Sequence, residues 1–171
     1  MFKYAGFWAA AAALLLAGCS PDYNWREVSV ADGVIRAIFP DRPVSDERAF
    51  NVAGQEITFT LTTARVGDAL FAVGHAIFPA ALREDESARQ QIGRVAIESL
   101  YQNLGAPVPA ELPRFGDSFA IEGQSPQGPL MLRAKTWLTP YVLVEGIVTA
   151  PPDSFPGREA AEFLDAMRVA R

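Results

Sequence analysis

Three side chains offer chemistry in this chain: the thiol of Cys19, the imidazole of His75 and the carboxyl of Glu145. Cys19 is the only cysteine and His75 the only histidine among 171 residues. A thiolate is a nucleophile, an imidazole exchanges protons near neutral pH, and a carboxyl held among apolar neighbours is either paired or functional. His75 lies in Phe71-Ala72-Val73-Gly74-His75-Ala76-Ile77-Phe78, where alternation places it on one face with Phe71, Val73 and Ile77. That placement suits a general base or a metal ligand, or more plainly a hydrogen-bonded histidine packed in a core. Glu145 lies in Tyr141-Val142-Leu143-Val144-Glu145-Gly146-Ile147-Val148, grouped by the same alternation with Leu143 and Ile147. It reads as a paired carboxylate, a functional one, or a sheet-end residue reaching solvent. An enzyme, if there is one here, would be built around His75 with Glu145 or Asp117.

The absent patterns narrow the chemistry further. One histidine and one cysteine cannot assemble the usual zinc ligand sets, and no Asp-x-Asp-x-Asp-Gly loop marks a calcium site. No Gly-x-Ser-x-Gly elbow positions a nucleophile, and neither dinucleotide nor P-loop glycine patterns occur. The expectation is therefore a protein with no catalytic residues, no metal and no cofactor.

Cys19 has a specific context. It follows Leu16-Ala17-Gly18 at the end of an apolar run that opens with Lys3, and these residues resemble a bacterial lipobox, the recognition sequence of signal peptidase II. The uncharged stretch from Tyr4 to Gly18 is fifteen residues long; at about 1.5 Å per residue it covers roughly 22 Å, short of a hydrocarbon core of about 30 Å. A secretory leader fits better than a spanning helix. The resemblance implies that the Cys19 thiol takes a diacylglyceryl group, that cleavage follows Gly18, and that the new amine is acylated. Two or three acyl chains hold a protein at a bilayer where one does not. Ser20, in the position after the cysteine, resembles the residue that permits export to the outer membrane. The expected location is the periplasmic face of that membrane, the inner membrane being the lesser alternative. Residues 1–18 then form the leader, 19–25 the lipidated tether and 26–171 one domain.

Losing residues 1–18 removes Lys3 and no acid, taking the formal net charge from −5 to −6. No basic run remains, so nucleic acid is not an expected partner. With its only thiol modified the domain cannot form an internal disulfide and must be held by burial. About 150 residues suffice for that, burying roughly 68–70% of their surface.

The elements that must position these groups follow from periodicity. Glu27–Val30 and Val34–Phe39 read as strands joined through Asp32-Gly33, with Pro40 and Pro43 ending the second. In Gln55–Thr63 the residues Ile57, Phe59 and Leu61 alternate with Glu56, Thr58, Thr60 and Thr62, predicting one buried and one wet face. Ala69–Phe78, apolar on both faces, should pair with it deeper in the sheet. From Glu84 to Leu104, Ala88, Ile92, Ala96, Leu100 and Leu104 recur at helical spacing, with Gly105 and Pro107 as the stop. Ser118–Gly123, Leu130–Leu138 and Tyr141–Thr149 read as a meander, and Gly157–Met167 as a closing helix. A two-residue turn at Thr139-Pro140 would set Ala134 opposite Glu145 and turn Arg133 and Lys135 away from it, leaving Arg36 or another strand to supply any partner. Of the large aromatics, Trp137 reads as core, while Tyr23, Trp25 and Tyr141 are candidate contact residues. The order of elements predicts class α+β, a single antiparallel sheet covered by helices.

The segment Ile35-Arg36-Ala37-Ile38-Phe39-Pro40 after a hairpin, one long middle helix, three strands, and the terminal Glu162-Phe163-Leu164-Asp165-Ala166-Met167-Arg168-Val169 resemble the PsbP-like α/β/α sandwich. The chain is similar in particular to small bacterial lipoproteins related to DcrB. The resemblance covers most of the chain after Cys19 and rests on element order and the two ends. It implies a noncatalytic accessory or partner-binding domain of the cell envelope. Two other functions stay open: a small-molecule binder using an apolar cleft between sheet and helix, and the enzyme around His75.

Overall fold

The structure, a computed structural model, describes residues 23–52 and 55–170. Leu16, Ala17, Gly18, Cys19 and Ser20 lie outside the described residues, and with them the leader and its lipidation site. Among the described residues no helix is long and apolar enough to cross a membrane.

The chain is α+β. Strands β1 (Arg26–Val30) and β2 (Ile35–Phe39) form the expected hairpin. Its turn is closed by the Val34 N–H donating to the Ala31 carbonyl at 3.0 Å. Asp32 and Gly33 take φ of 52° and 91°, the left-handed values that a tight Asp-Gly turn requires. Six further strands make the main sheet: β3 (Val44–Val52), β4 (Gln55–Val66), β5 (Ala69–Ile77), β6 (Ser118–Ser125), β7 (Gly128–Leu138) and β8 (Val142–Ala150). Their order across the sheet is β3-β4-β5-β8-β7-β6, antiparallel throughout. Helices α1 (Ala80–Arg83) and α2 (Glu86–Asn103) follow β5, and α3 (Gly157–Ala166) precedes the two-residue strand β9 (Arg168–Val169).

Two features differ from the sequence expectation. The sheet is not single: β1, β2 and β9 form a separate three-stranded sheet, ordered β1-β2-β9, which packs over one face of the main one. Pro40-Asp41-Arg42-Pro43 breaks the chain after β2, so the hairpin cannot continue into the main ladder. Strand β3 was also unforeseen, because its sequence Val-Ser-Asp-Glu-Arg-Ala-Phe-Asn-Val has no apolar alternation. It is an edge strand with neither face packed, leaving Val44 70% and Phe50 51% exposed.

The main sheet therefore has two unlike faces. One carries Phe71, Val73, Val142, Val144 and Val148 against the small sheet and α3, with Phe39 and Phe71 both meeting Phe163 edge-on at 5.5 and 5.4 Å. Tyr23 and Trp25, expected as tether, stack on each other at 5.7 Å and each meets Phe71 edge-on. Tyr23 and Trp25 thus belong to the packed body. The other face lies under α2, where Ile57, Ala76, Leu143, Leu132 and Ala134 meet Ile92, Ala96, Leu100 and Leu104. Helix α2 starts at Asp85, whose side chain accepts from the Ala88 N–H at 2.9 Å. Its buried line also holds Arg89, missed by an apolar count. The Arg89 guanidinium donates to the carbonyls of Leu82 and Arg83 and so fastens α1 to α2.

Candidate functional site

In an antiparallel sheet, directly opposed residues share a face, so register decides which side chains can meet. His75 on β5 is opposed by Thr60 on β4 and by Val144 on β8. Thr60 is in turn opposed by Glu47 on β3. Glu47, Thr60 and His75 thus form one row across three strands, on the face that carries the small sheet.

Glu145 belongs to the opposite face. It is opposed by Gly74 on β5 and Thr136 on β7, under α2. The sheet itself separates His75 from Glu145, and they form no catalytic pair. Asp117, just before β6, lies three strand spacings from β5, about 14 Å at roughly 4.8 Å each. The structure does not bring it to His75 either.

The row borders a cleft of about 760 Å³. Its floor is the wet face of β4, Thr58, Thr60 and Thr62, flanked by Ser45 and Glu47 of β3 and by His75. One wall is β1 and its turn, Val28 to Asp32, and the far end is closed by Pro79 and Arg83 of α1. Ser45 and Thr62 share a hydroxyl–hydroxyl bond of 2.9 Å, and the Thr60 hydroxyl donates to Glu47 Oε1 at 3.5 Å. Arg83 is already engaged: its Nε donates to the Phe78 carbonyl at 2.8 Å, and its guanidinium sits 5.5 Å over the Tyr141 ring.

His75 is 6% exposed, and its Nδ1 is buried without a hydrogen-bond partner. The core histidine expected from sequence is therefore buried but not satisfied. Burial holds its imidazolium below the ordinary histidine range, and the carboxylates of Glu47 and Asp32 offset this only in part. The ring is thus neutral near pH 7, able to give one hydrogen bond and take another. Leaving a buried polar atom unpaired costs about 1–3 kcal/mol, so this nitrogen works against the stability of the fold.

Glu145 is equally buried, at 6% exposure, and its Oε1 has no partner; neither has the Thr136 hydroxyl across from it. Burial raises its pKa to about 7. The reading of Glu145 as a sheet-end residue in water is corrected by this placement. Arg36 is exposed on β2, on the other side of the sheet, and does not pair with it. The register also differs by two residues from the sequence expectation: Leu138 opposes Leu143, and Thr136 rather than Ala134 faces Glu145. The cause is Thr139, whose hydroxyl accepts from the N–H groups of Tyr141 and Val142 at 3.2 and 3.0 Å and so closes a longer turn. Arg133 and Lys135 do turn away, towards α3, where Arg133 donates to the Gly157 carbonyl at 2.9 Å and Lys135 lies 3.8 Å from Asp165.

The gap between sheet and α2, where an apolar ligand cleft was expected, is filled by side chains. The cleft lies on the other face and is lined largely by hydroxyls and carboxyls. Among the described residues no cluster of three or more His, Cys, Asp or Glu is placed to hold a metal ion. Sequence reading found His75 but missed Glu47 and Thr60. The alternating Thr58, Thr60 and Thr62 signalled a wet face, but only the pairing of β3 shows what stands beside it.

No family model, curated protein or solved structure matches this chain. The fold class, α+β in one domain, stands on the geometry alone.

Proposed function

We propose that this chain is a noncatalytic binding domain of the bacterial cell envelope, held by lipid at Cys19 to the periplasmic face of the outer membrane, and that its partner protein sits in the cleft before Glu47, Thr60 and His75. The carrying observation is the row itself: Glu47, Thr60 and His75 share one face across three strands and line a cleft of about 760 Å³ among further hydroxyl and carboxyl groups. Such a row recognises polar groups; it lacks the base-and-nucleophile contact that covalent chemistry needs. The anchor rests on the resemblance of Leu16-Ala17-Gly18-Cys19 to a lipobox. Kinship with the PsbP-like lipoproteins belongs to the same proposal and is supported by the order of strands, long helix, strands and short helix.

Anchor and cleft are tested separately. Mass spectrometry of the mature amino terminus should find an acylated Cys19, and Cys19→Ser should release the protein from the envelope; normal processing and membrane partition of that variant would end the anchoring claim. With the full chain as bait in detergent-solubilised envelopes, one protein should be recovered reproducibly, and His75→Ala should lower its recovery. Undiminished recovery moves the binding surface away from the cleft. A second reading, a small polar ligand, is favoured by cleft size alone, since about 760 Å³ falls within the usual range for ligand sites.

A further inference from the structure

Strand β1 is the outer strand of the small sheet and, among the described residues, pairs only with β2, so alternate residues of Arg26–Val30 direct their backbone N–H and C=O groups away from the ladder, where no described strand receives them. That edge borders the cleft, whose wall runs through five consecutive residues from Val28 to Asp32 and includes none of β2.

The cleft is also charged in one sense. Asp32, Glu47 and Glu56 line it, against one cation, Arg83, which already holds a carbonyl and the Tyr141 ring. Besides the imidazole its only ring is that of Phe78, fully buried, so it offers no aromatic platform on which a sugar or a base could stack. What it does offer is a strand edge, a floor of hydroxyls and a surplus of carboxylates.

Resting on the binding-domain reading above, we infer that the cleft takes an extended basic peptide segment of the partner protein, which adds to β1 as a further strand and sends alternate side chains down to Glu47, Thr60 and His75. Val28–Val30, the part of β1 that borders the cleft, give an edge of about 10 Å at roughly 3.3 Å per residue. Main-chain hydrogen bonds to that edge supply sequence-independent affinity, while the floor reads alternate side chains, the division of labour found in strand addition generally. A lysine or arginine reaching Glu47 or Glu56 meets carboxylates in an open, hydrated cleft, so charge contributes chiefly to encounter and selectivity.

The test uses the full chain in detergent micelles, with titration calorimetry and amide chemical-shift mapping. The probe is a blocked peptide alternating lysine and valine over about the length of β1, compared with its glutamate counterpart, with two forms N-methylated on one or the other alternate set of amides, and with spermidine as a cation that has no backbone to pair. The lysine peptide should bind, with shifts confined to Val28–Asp32 and the facing parts of β3, β4 and β5. The glutamate peptide should bind about tenfold more weakly or not at all, and one N-methylated form should lose binding while the other keeps it. Glu47→Gln with Glu56→Gln, both exposed, should weaken the lysine peptide severalfold. Spermidine binding as tightly as the peptide, equal binding by both N-methylated forms, or no peptide binding at millimolar concentration would overturn strand addition. If recovery of the envelope partner still depends on His75 in that case, the binding-domain reading stands and only its peptide form fails.

Discussion

The two faces of the main sheet each bury one titratable group without a partner, and they treat it differently. Under α2, Glu145 stands opposite Gly74 and Thr136 on the face that the apolar side chains of the helix layer cover. On the other face His75 is as deeply buried but lines a cleft of about 760 Å³. One group stands beneath a packed helix layer; the other belongs to a residue that lines an opening. The same residue exposure thus goes with a covered face on one side and an open cleft on the other, the cleft proposed above as the recognition surface.

The largest expected effect separates the faces by packing. Leu100→Ala, on the buried side of α2, removes buried methyl groups and should cost about 2–5 kcal/mol in denaturant unfolding. Thr58→Ala on the cleft floor is an exposed change and should stay within about 0.5 kcal/mol. A comparable loss at both sites would show that the cleft floor is structural core.

Glu145→Gln sharpens the covered side. A carboxyl whose folded pKa is raised from 4.5 to about 7 costs nothing extra below pH 4.5, grows more costly as pH rises between those values, and is constant above. At about 1.4 kcal/mol per unit the variant should be more stable than the parent by about 3 kcal/mol at pH 8 and nearly equal to it at pH 4. A gain independent of pH would mean that Glu145 finds a partner in solution.

His75 should show the opposite sign and a smaller effect. Its folded pKa is depressed, so its contribution is present above the ordinary histidine value of 6.5 and is lost as pH falls below it. Its imidazole resonance should titrate below 6.5, and Glu47→Gln should move the midpoint lower still, since that carboxylate pulls it upward. An unmoved midpoint would place Glu47 too far away to act with His75.

Much of the fold was legible because it rests on local periodicity. Alternation in β4, the two apolar faces of β5 and the helical spacing of α2 each recorded how many sides of an element are buried. The hairpin was legible through Asp32-Gly33, since few residue pairs accept that turn. Strand β3 was not legible: an edge strand is stabilised by backbone pairing with β4 rather than by burial, and leaves little mark on side-chain choice. The site was half legible for the same reason. His75 announced itself as a lone imidazole in an apolar strand, whereas Glu47 stood in a segment with no visible element.

By itself the sequence determined the inventory and the sidedness. It set one thiol in a lipobox-like context, one imidazole and one embedded carboxyl, and it placed His75 with Phe71, Val73 and Ile77 and Glu145 with Leu143 and Ile147. The tertiary structure alone decided which of those faces is covered by helix and which borders an opening, and which residues on three adjacent strands share a row. Sidedness within a strand is local geometry, every second residue pointing the same way. The cover over a face, and the register that aligned Glu47, Thr60 and His75, depend on pairing between segments distant in the chain, where a turn lengthened by one threonine hydroxyl shifts every opposed pair by two residues.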